Sequence, residues 1–278
     1  MLVDTHLHLI DRRRLSYPWL AAVPALDRDW SYGDYAASAA RVGIATALHM
    51  EVDVAEPDID AETAMVRELM ARPGSLIGGA ISAARPEAPG FRDWLDRLGP
   101  EVKGLRRVLH VVPDAVSQDP KFRDGVRAMG RAGLPFDLCV LARQLPLACD
   151  LADACPDTQF VLDHCGNPDI AGAGFDAWAP ALADLAQREN VNAKISGLLA
   201  RTGPDWSVAT LRPYVEHVVG CFGWDRVVWG SDSPVVTLGG TLAEWVAATR
   251  ALLQGAGGDE WDRLARRNAQ RIWRLGGA

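Results

Sequence analysis

The chain has 278 residues, 29 Lys and Arg against 36 Asp and Glu, and a formal net charge of −7. That acidic balance disfavours nucleic acid or an anionic membrane as partner, since both reward clustered Lys and Arg. Its 49% hydrophobic and 23% charged residues are those of a globular protein, which excludes disorder, collagen and coiled coil.

Short β-branched runs alternate with amphipathic stretches from end to end, the pattern of repeated βα units. The spacing predicts a first strand over residues 2–9, an irregular segment at 11–31 rich in Pro, Trp and Arg, and a helix at 32–41. Strand two is expected at 44–52 with a helix at 60–71, and strand three at 76–83 with a helix at 90–98. Strand four at 102–110 precedes a helix at 119–132, and strand five at 136–141 a helix at 145–154. Strand six at 159–164 is followed by a helix at 176–189, and strand seven at 192–196 by one at 211–222. Strand eight at 227–231 leads to a helix at 242–253, and a further helix at 259–273 ends the chain.

Eight strands at intervals of about 25–40 residues predict an α/β fold, a single (β/α)8 TIM barrel over residues 1–278. A doubly wound sheet would use fewer strands, and no GxGxxG or GxxxxGK(S/T) phosphate loop follows any strand. The 11–31 segment directly follows strand one, which places it over the catalytic end. The five Cys are scattered and odd in number, as expected of reduced thiols. The start Met1-Leu-Val-Asp-Thr lacks a basic leader, and no run approaches the roughly 20 apolar residues that span a bilayer. A soluble, cytoplasmic protein is the expectation.

In such a barrel the chemistry sits at the C-terminal ends of the strands. Alternate strand residues share a face, so His6 and His8 point together into the lumen. A His pair there suits metal ligation or polarised hydrogen bonding; the plainer reading is two core histidines bonded to neighbours. His164 ends strand six where Val161-Leu-Asp-His-Cys-Gly-Asn-Pro breaks, while Asp163, of opposite parity, is expected to face the helical layer. Asp232 ends strand eight in Val227-Val-Trp-Gly-Ser-Asp-Ser-Pro. Alone it reads equally as a turn cap, and the rim histidines tip it toward function.

Arg106 and His110 share parity on strand four. Arg106 offers a planar fork to a substrate carboxylate or carbonyl, or else makes a buried ion pair. His49, Arg143, Asn167 and Ser196 lie near strand ends as further substrate contacts. Trp19, Trp30 and Trp206 fall in loops, where an indole can stack on a sugar face.

Other strings occur in order: Tyr17-Pro-Trp-Leu, Leu26-Asp-Arg-Asp, Glu62-Thr63, Lys103-Gly-Leu-Arg106, Arg143-Gln-Leu-Pro146, Phe160-Val-Leu-Asp-His-Cys-Gly, Lys194-Ile-Ser-Gly and Trp229-Gly-Ser-Asp-Ser-Pro. With Asp4-Thr-His-Leu-His at the start, they make nearly the whole chain resemble the amidohydrolase-related barrels of the second amidohydrolase group. Within it the chain is most similar to sugar-lactone hydrolases of the L-fuconolactonase and L-rhamnonolactonase type. A more distant similarity is to 2-pyrone-4,6-dicarboxylate lactonase.

The resemblance implies a hydrolase of carbohydrate metabolism that acts on carboxylic ester bonds, opening a sugar-acid lactone or similar cyclic ester. Strand five has no His, and Lys103 is out of parity with Arg106, so a two-metal site is not expected. His6, His8, His164 and Asp232 remain as a shell for one divalent metal, Zn²⁺, in a group where some lactonases work without one. Asp232 would be general base, and the three histidines would polarise the carbonyl directly or through the metal. Arg106, with His110 or His49, would contact the small-molecule substrate. The alternative is a metal-dependent decarboxylase or amide hydrolase of the same superfamily; more remote is a barrel that only binds.

Overall fold

Eight apolar runs form strands: β1 (Leu2–Leu7), β2 (Ile44–Met50), β3 (Ile77–Ala83), β4 (Val102–Val108), β5 (Phe136–Cys139), β6 (Phe160–Leu162), β7 (Val191–Ile195) and β8 (Val227–Trp229). The computed structural model describes residues 1–203 and 205–276. The strands pair in chain order, every pair parallel, as one eight-stranded sheet. The gap between β8 and β1 is bridged past the strand ends. There His8 N–H donates to Ser233 O at 2.7 Å and Asp232 N–H to His6 O at 2.9 Å. The result is the expected α/β barrel.

Helices between the strands cover the outside: α1 (Tyr32–Val42), α2 (Ile59–Met70), α3 (Phe91–Leu95), α4 (Ala115–Gln118), α5 (Pro120–Arg131), α6 (Leu145–Ala154), α7 (Phe175–Leu185), α8 (Val208–Phe222) and α9 (Leu242–Leu252). The helix expected at 119–132 is α5, and α4 is additional. Pro120 stands in the first turn of α5, and Asp119 caps it by accepting from Lys121 N–H, so the chain breaks between the two. At the C-terminus, α10 (Gly258–Asp262) and α11 (Asn268–Ile272) are joined by a π turn at Arg263–Arg267.

One end of the lumen is plugged. Val3, Leu48, Ile81, Val161 and Val228 cluster with Trp273, which follows α11, and all are buried. At the other end the strands stop earlier than the apolar pattern suggests: β1 at Leu7, β4 at Val108, β6 at Leu162, β8 at Trp229. Beyond β6 and β8 the reason is backbone: His164, Cys165, Asn167 and Asp232 have positive φ and cannot continue a ladder. No helix among the described residues is long and apolar enough to cross a membrane.

Candidate active site

Past the strand ends lies a cavity of about 340 Å³, with His8, Arg106, His164 and Asp232 in its wall. Seven described non-glycine residues have positive φ, and four of them, Asp53, His164, Asn167 and Asp232, line this cavity. Left-handed backbone costs such a residue on the order of 1–3 kcal/mol and persists where the surroundings over-determine it, as functional sites do.

The seam between β1 and β8 aligns the central groups. Asp4 accepts from Ser231 N–H at 2.7 Å, His6 N–H at 3.1 Å and the Tyr35 hydroxyl at 2.7 Å. At Gly230 a Cβ would lie 2.7 Å from the His6 Cβ, so only glycine lets the two strands approach here. Asp232 Oδ1 then stands 3.5 Å from His8 Nε2 and 3.7 Å from His6 Nε2. His8 Nδ1 lies 3.0 Å from Met50 O, which can only accept. In the neutral ring Nδ1 is then the protonated nitrogen, and Nε2 is the atom turned toward Asp232.

An imidazole nitrogen and a carboxylate oxygen 3.5 Å apart can both ligate a cation set between them. Ligand atoms around a tetrahedral Zn²⁺ are spaced about 3.4 Å apart. His6, His8 and Asp232 offer atoms that all lie within 4.8 Å of one another, and so do His6, Asp163 and His164. The donor set fits one divalent metal. His164 Nδ1 is 2.9 Å from Ser196 Oγ, leaving Nε2 for the cavity. Gly197, at φ +68°, admits that ring: a Cβ would sit 2.3 Å from His164 Nδ1. Burial lowers the His164 pKa to about 4 and that of His6 well below its ordinary value, so both rings are neutral lone-pair donors near pH 7.

A buried ionic network lies against this cluster. Arg106 Nε donates to Glu51 at 2.6 Å, Nη2 to Glu51 O at 2.7 Å and Nη1 to Asp163 at 3.3 Å. Lys194 Nζ is 2.6 Å from Asp137 and 2.9 Å from Asp163. Asp163 Oδ1 approaches His6 Nδ1 at 3.3 Å, which orients that ring with Nε2 toward Asp232. Burial pushes Asp163 up, but Lys194 and His6 outweigh it and hold the carboxyl well below its usual range. Burial likewise opposes the charge on Arg106, and Glu51 overrides it. For Asp137 burial wins, raising its pKa to about 7 against the pull of Lys194.

A family model described as amidohydrolase matches residues 3–275. The chain belongs to the amidohydrolase family. Among its relatives, an L-fucono-1,5-lactonase of Burkholderia ambifaria is 29% identical over 249 residues, covering 88% of this chain and 84% of that protein. An L-fucono-1,5-lactonase of Burkholderia multivorans is 30% identical over 264 residues, covering 87% and 85%. The crystal structure of a Burkholderia multivorans amidohydrolase with bound zinc superposes with a TM-score of 0.91 at 24% identity, over 99% of this chain and all of that one.

Within this amidohydrolase, His8, Arg106, His110, His164, Asn167 and Asp232 meet in one cavity, and His6 is fully buried beside them. Six expectations need correction. Ser196 is fully buried outside the cavity, its Oγ 2.9 Å from His164 Nδ1. Trp206 also lies outside it, its Nε1 donating to Gly239 O at 2.6 Å. Asp163 does not face the helices: it lies in the lumen beside His6, Arg106 and Lys194. Val161 already faces the lumen, so alternation carries Asp163 inward, and the left-handed turn then brings His164 round as well. His49 lies outside the cavity, where its Nε2 accepts from Leu9 N–H at 3.4 Å, and burial lowers its pKa to about 3. Arg143 is exposed and pairs with Asp114 at 2.8 Å. Trp30 also lies outside the cavity, its Nε1 donating to Leu26 O and its ring under Arg28; Trp19 lines the wall instead. Glu51, Asp137 and Lys194 belong to the network although no role is expected of them from the sequence. A lone charge inside an apolar strand, as in Phe136-Asp-Leu-Cys and Val191-Asn-Ala-Lys-Ile, was the available signal.

Proposed function

We propose that this amidohydrolase opens a sugar-acid lactone or similar cyclic ester by attack of water. The observation that carries the reading is Asp232: a buried carboxylate in left-handed backbone at the cavity wall, 3.5 Å from His8 Nε2 and 3.7 Å from His6 Nε2. The names of the two Burkholderia lactonases point the same way.

Asp232 accepts a proton from water as its oxygen attacks the ring carbonyl carbon, and returns the proton to the ring oxygen as the C–O bond breaks. His6, His8, His164 and Asp232 are the groups that would hold one divalent metal. When bound, such an ion acts as a Lewis acid toward the carbonyl and acidifies water. Asp163 and Ser196 orient His6 and His164 through their Nδ1 atoms. All three Arg106 nitrogens are bonded to Glu51 or Asp163 and Nη1 also lies 3.5 Å from His6 Nε2, which fixes the guanidinium with one Nη2 N–H left to meet the substrate.

A pH-indicator screen of aldonolactones on purified protein, with and without chelator and alongside elemental analysis, tests this reading. Lactone opening together with Zn²⁺ that is lost in His8→Ala supports it. Inert lactones and chelator-sensitive turnover of an aromatic carboxylate or an amide would establish the decarboxylase or amide-hydrolase alternative.

A further inference from the structure

We propose that the substrate ring carries an apolar substituent, selected at the cavity mouth by Val111 and Leu238. The proposal rests on the lactonase reading above. Val111 is 58% exposed and Leu238 45% exposed, and apart from Met1 they are the only exposed large hydrophobic side chains among the described residues. Both line the same cavity. They reach it from opposite parts of the chain, Val111 from the turn Leu109–Val111 after β4 and Leu238 from the turn Val235–Leu238 after β8. Neither packs into the core. Scattered exposed aliphatics need no explanation, but two on one cavity mark an apolar contact with what enters it.

The wall behind them continues the pattern with Val23, Val108 and Val235. Trp19 donates its Nε1 to Val52 O at 2.7 Å, so it offers the cavity carbon rather than a donor. Asp53 and Arg201 also line the wall, beside polar groups that the protein already engages. Asn167 Nδ2 is held by Val140 O at 2.8 Å, and His110 Nδ1 lies 3.5 Å from Cys139 Sγ. Asn167 Oδ1 is buried without a partner among the described residues, which leaves an acceptor for one ring hydroxyl. A lactone with an alkyl or aryl arm beside its ring hydroxyls fits this wall.

The test is a series of δ-lactones, from δ-valerolactone through δ-hexalactone and δ-octalactone to δ-decalactone, with L-fucono-1,5-lactone as the polar comparator. We expect kcat/KM to rise about three- to fourfold per methylene over the first few carbons. Val111→Ser and Leu238→Ser should each cut the decalactone-to-valerolactone ratio by roughly tenfold. A merely structural defect would lower both substrates together and leave that ratio intact. A flat or falling series overturns the proposal. If no lactone turns over, the lactonase reading fails, and thermal shifts with the matching 5-hydroxyalkanoates decide this proposal separately. Affinity that climbs with chain length, and is lost in both serine variants, supports the apolar mouth; affinity independent of chain length overturns it.

Discussion

Toward the strand starts, the lumen is filled by Val3, Leu48, Ile81, Val161 and Val228 against Trp273; toward the strand ends, the same barrel holds Arg106, Asp137, Asp163 and Lys194. The two layers nearly touch: Val161 and Asp163 are two residues apart on one strand path, and Lys194 Nζ lies 5.4 Å from the Trp273 ring centroid. In the apolar layer every contact is interchangeable in kind, and stability follows volume. In the ionic layer each group needs a particular partner, because a buried charge without one is strongly unfavourable. The apolar plug thus supplies a rigid floor on which an ionic layer of little net stabilising value can be held in register for chemistry.

The sharpest way to break this division is at the cavity wall. Asp232→Asn keeps the volume, and Asn tolerates the φ of 57°. The melting temperature should hold while kcat falls by roughly 10²–10⁴-fold in steady-state lactone assays. A wild-type kcat would move the base role elsewhere, with His164 next in line.

The apolar layer should behave in the opposite way. Ile81→Ala removes a fully buried side chain and should cost about 2–5 kcal/mol in denaturant unfolding, with kcat/KM of the folded enzyme unchanged. A large kinetic defect here would show that the layers are not separate.

Arg106 joins the two concerns. Arg106→Lys should lower kcat/KM by about 1–3 kcal/mol, because Lys cannot reproduce the fork that spans Glu51 and Asp163. Unfolding should be milder than for Arg106→Met, which leaves those carboxylates without their cation. Equal behaviour of the two variants would reduce Arg106 to packing. The smallest effect is expected outside both layers. Arg143→Ala removes an exposed pair with Asp114 and should leave the melting temperature and kcat/KM at wild-type values. A fall in kcat/KM would return Arg143 to the substrate.

Much of this was legible in the residues. The strand count and order follow from apolar runs at regular spacing, and His6, His8, His164 and Asp232 stand out as polar groups ending such runs. Two of the corrections concern side-chain direction. Alternation counted back from His164 points Asp163 outward, but β6 ends at Leu162 and the left-handed turn breaks the alternation. His49 lies near a strand end, but Leu48 faces the lumen plug and alternation therefore turns His49 away.

Local pattern thus determined by itself that this chain makes eight βα units and that its reactive side chains gather at one end, because hydrophobic period and strand-end position are properties of neighbouring residues. Which of those side chains meet was decided only by the closed barrel. Lys194 finds Asp137 across 57 residues, and Asp4 finds the Ser231 N–H across 227. Such pairings depend on strand register and on left-handed turns at His164 and Asp232, which are held in place by contacts remote in sequence and leave no periodic trace in it.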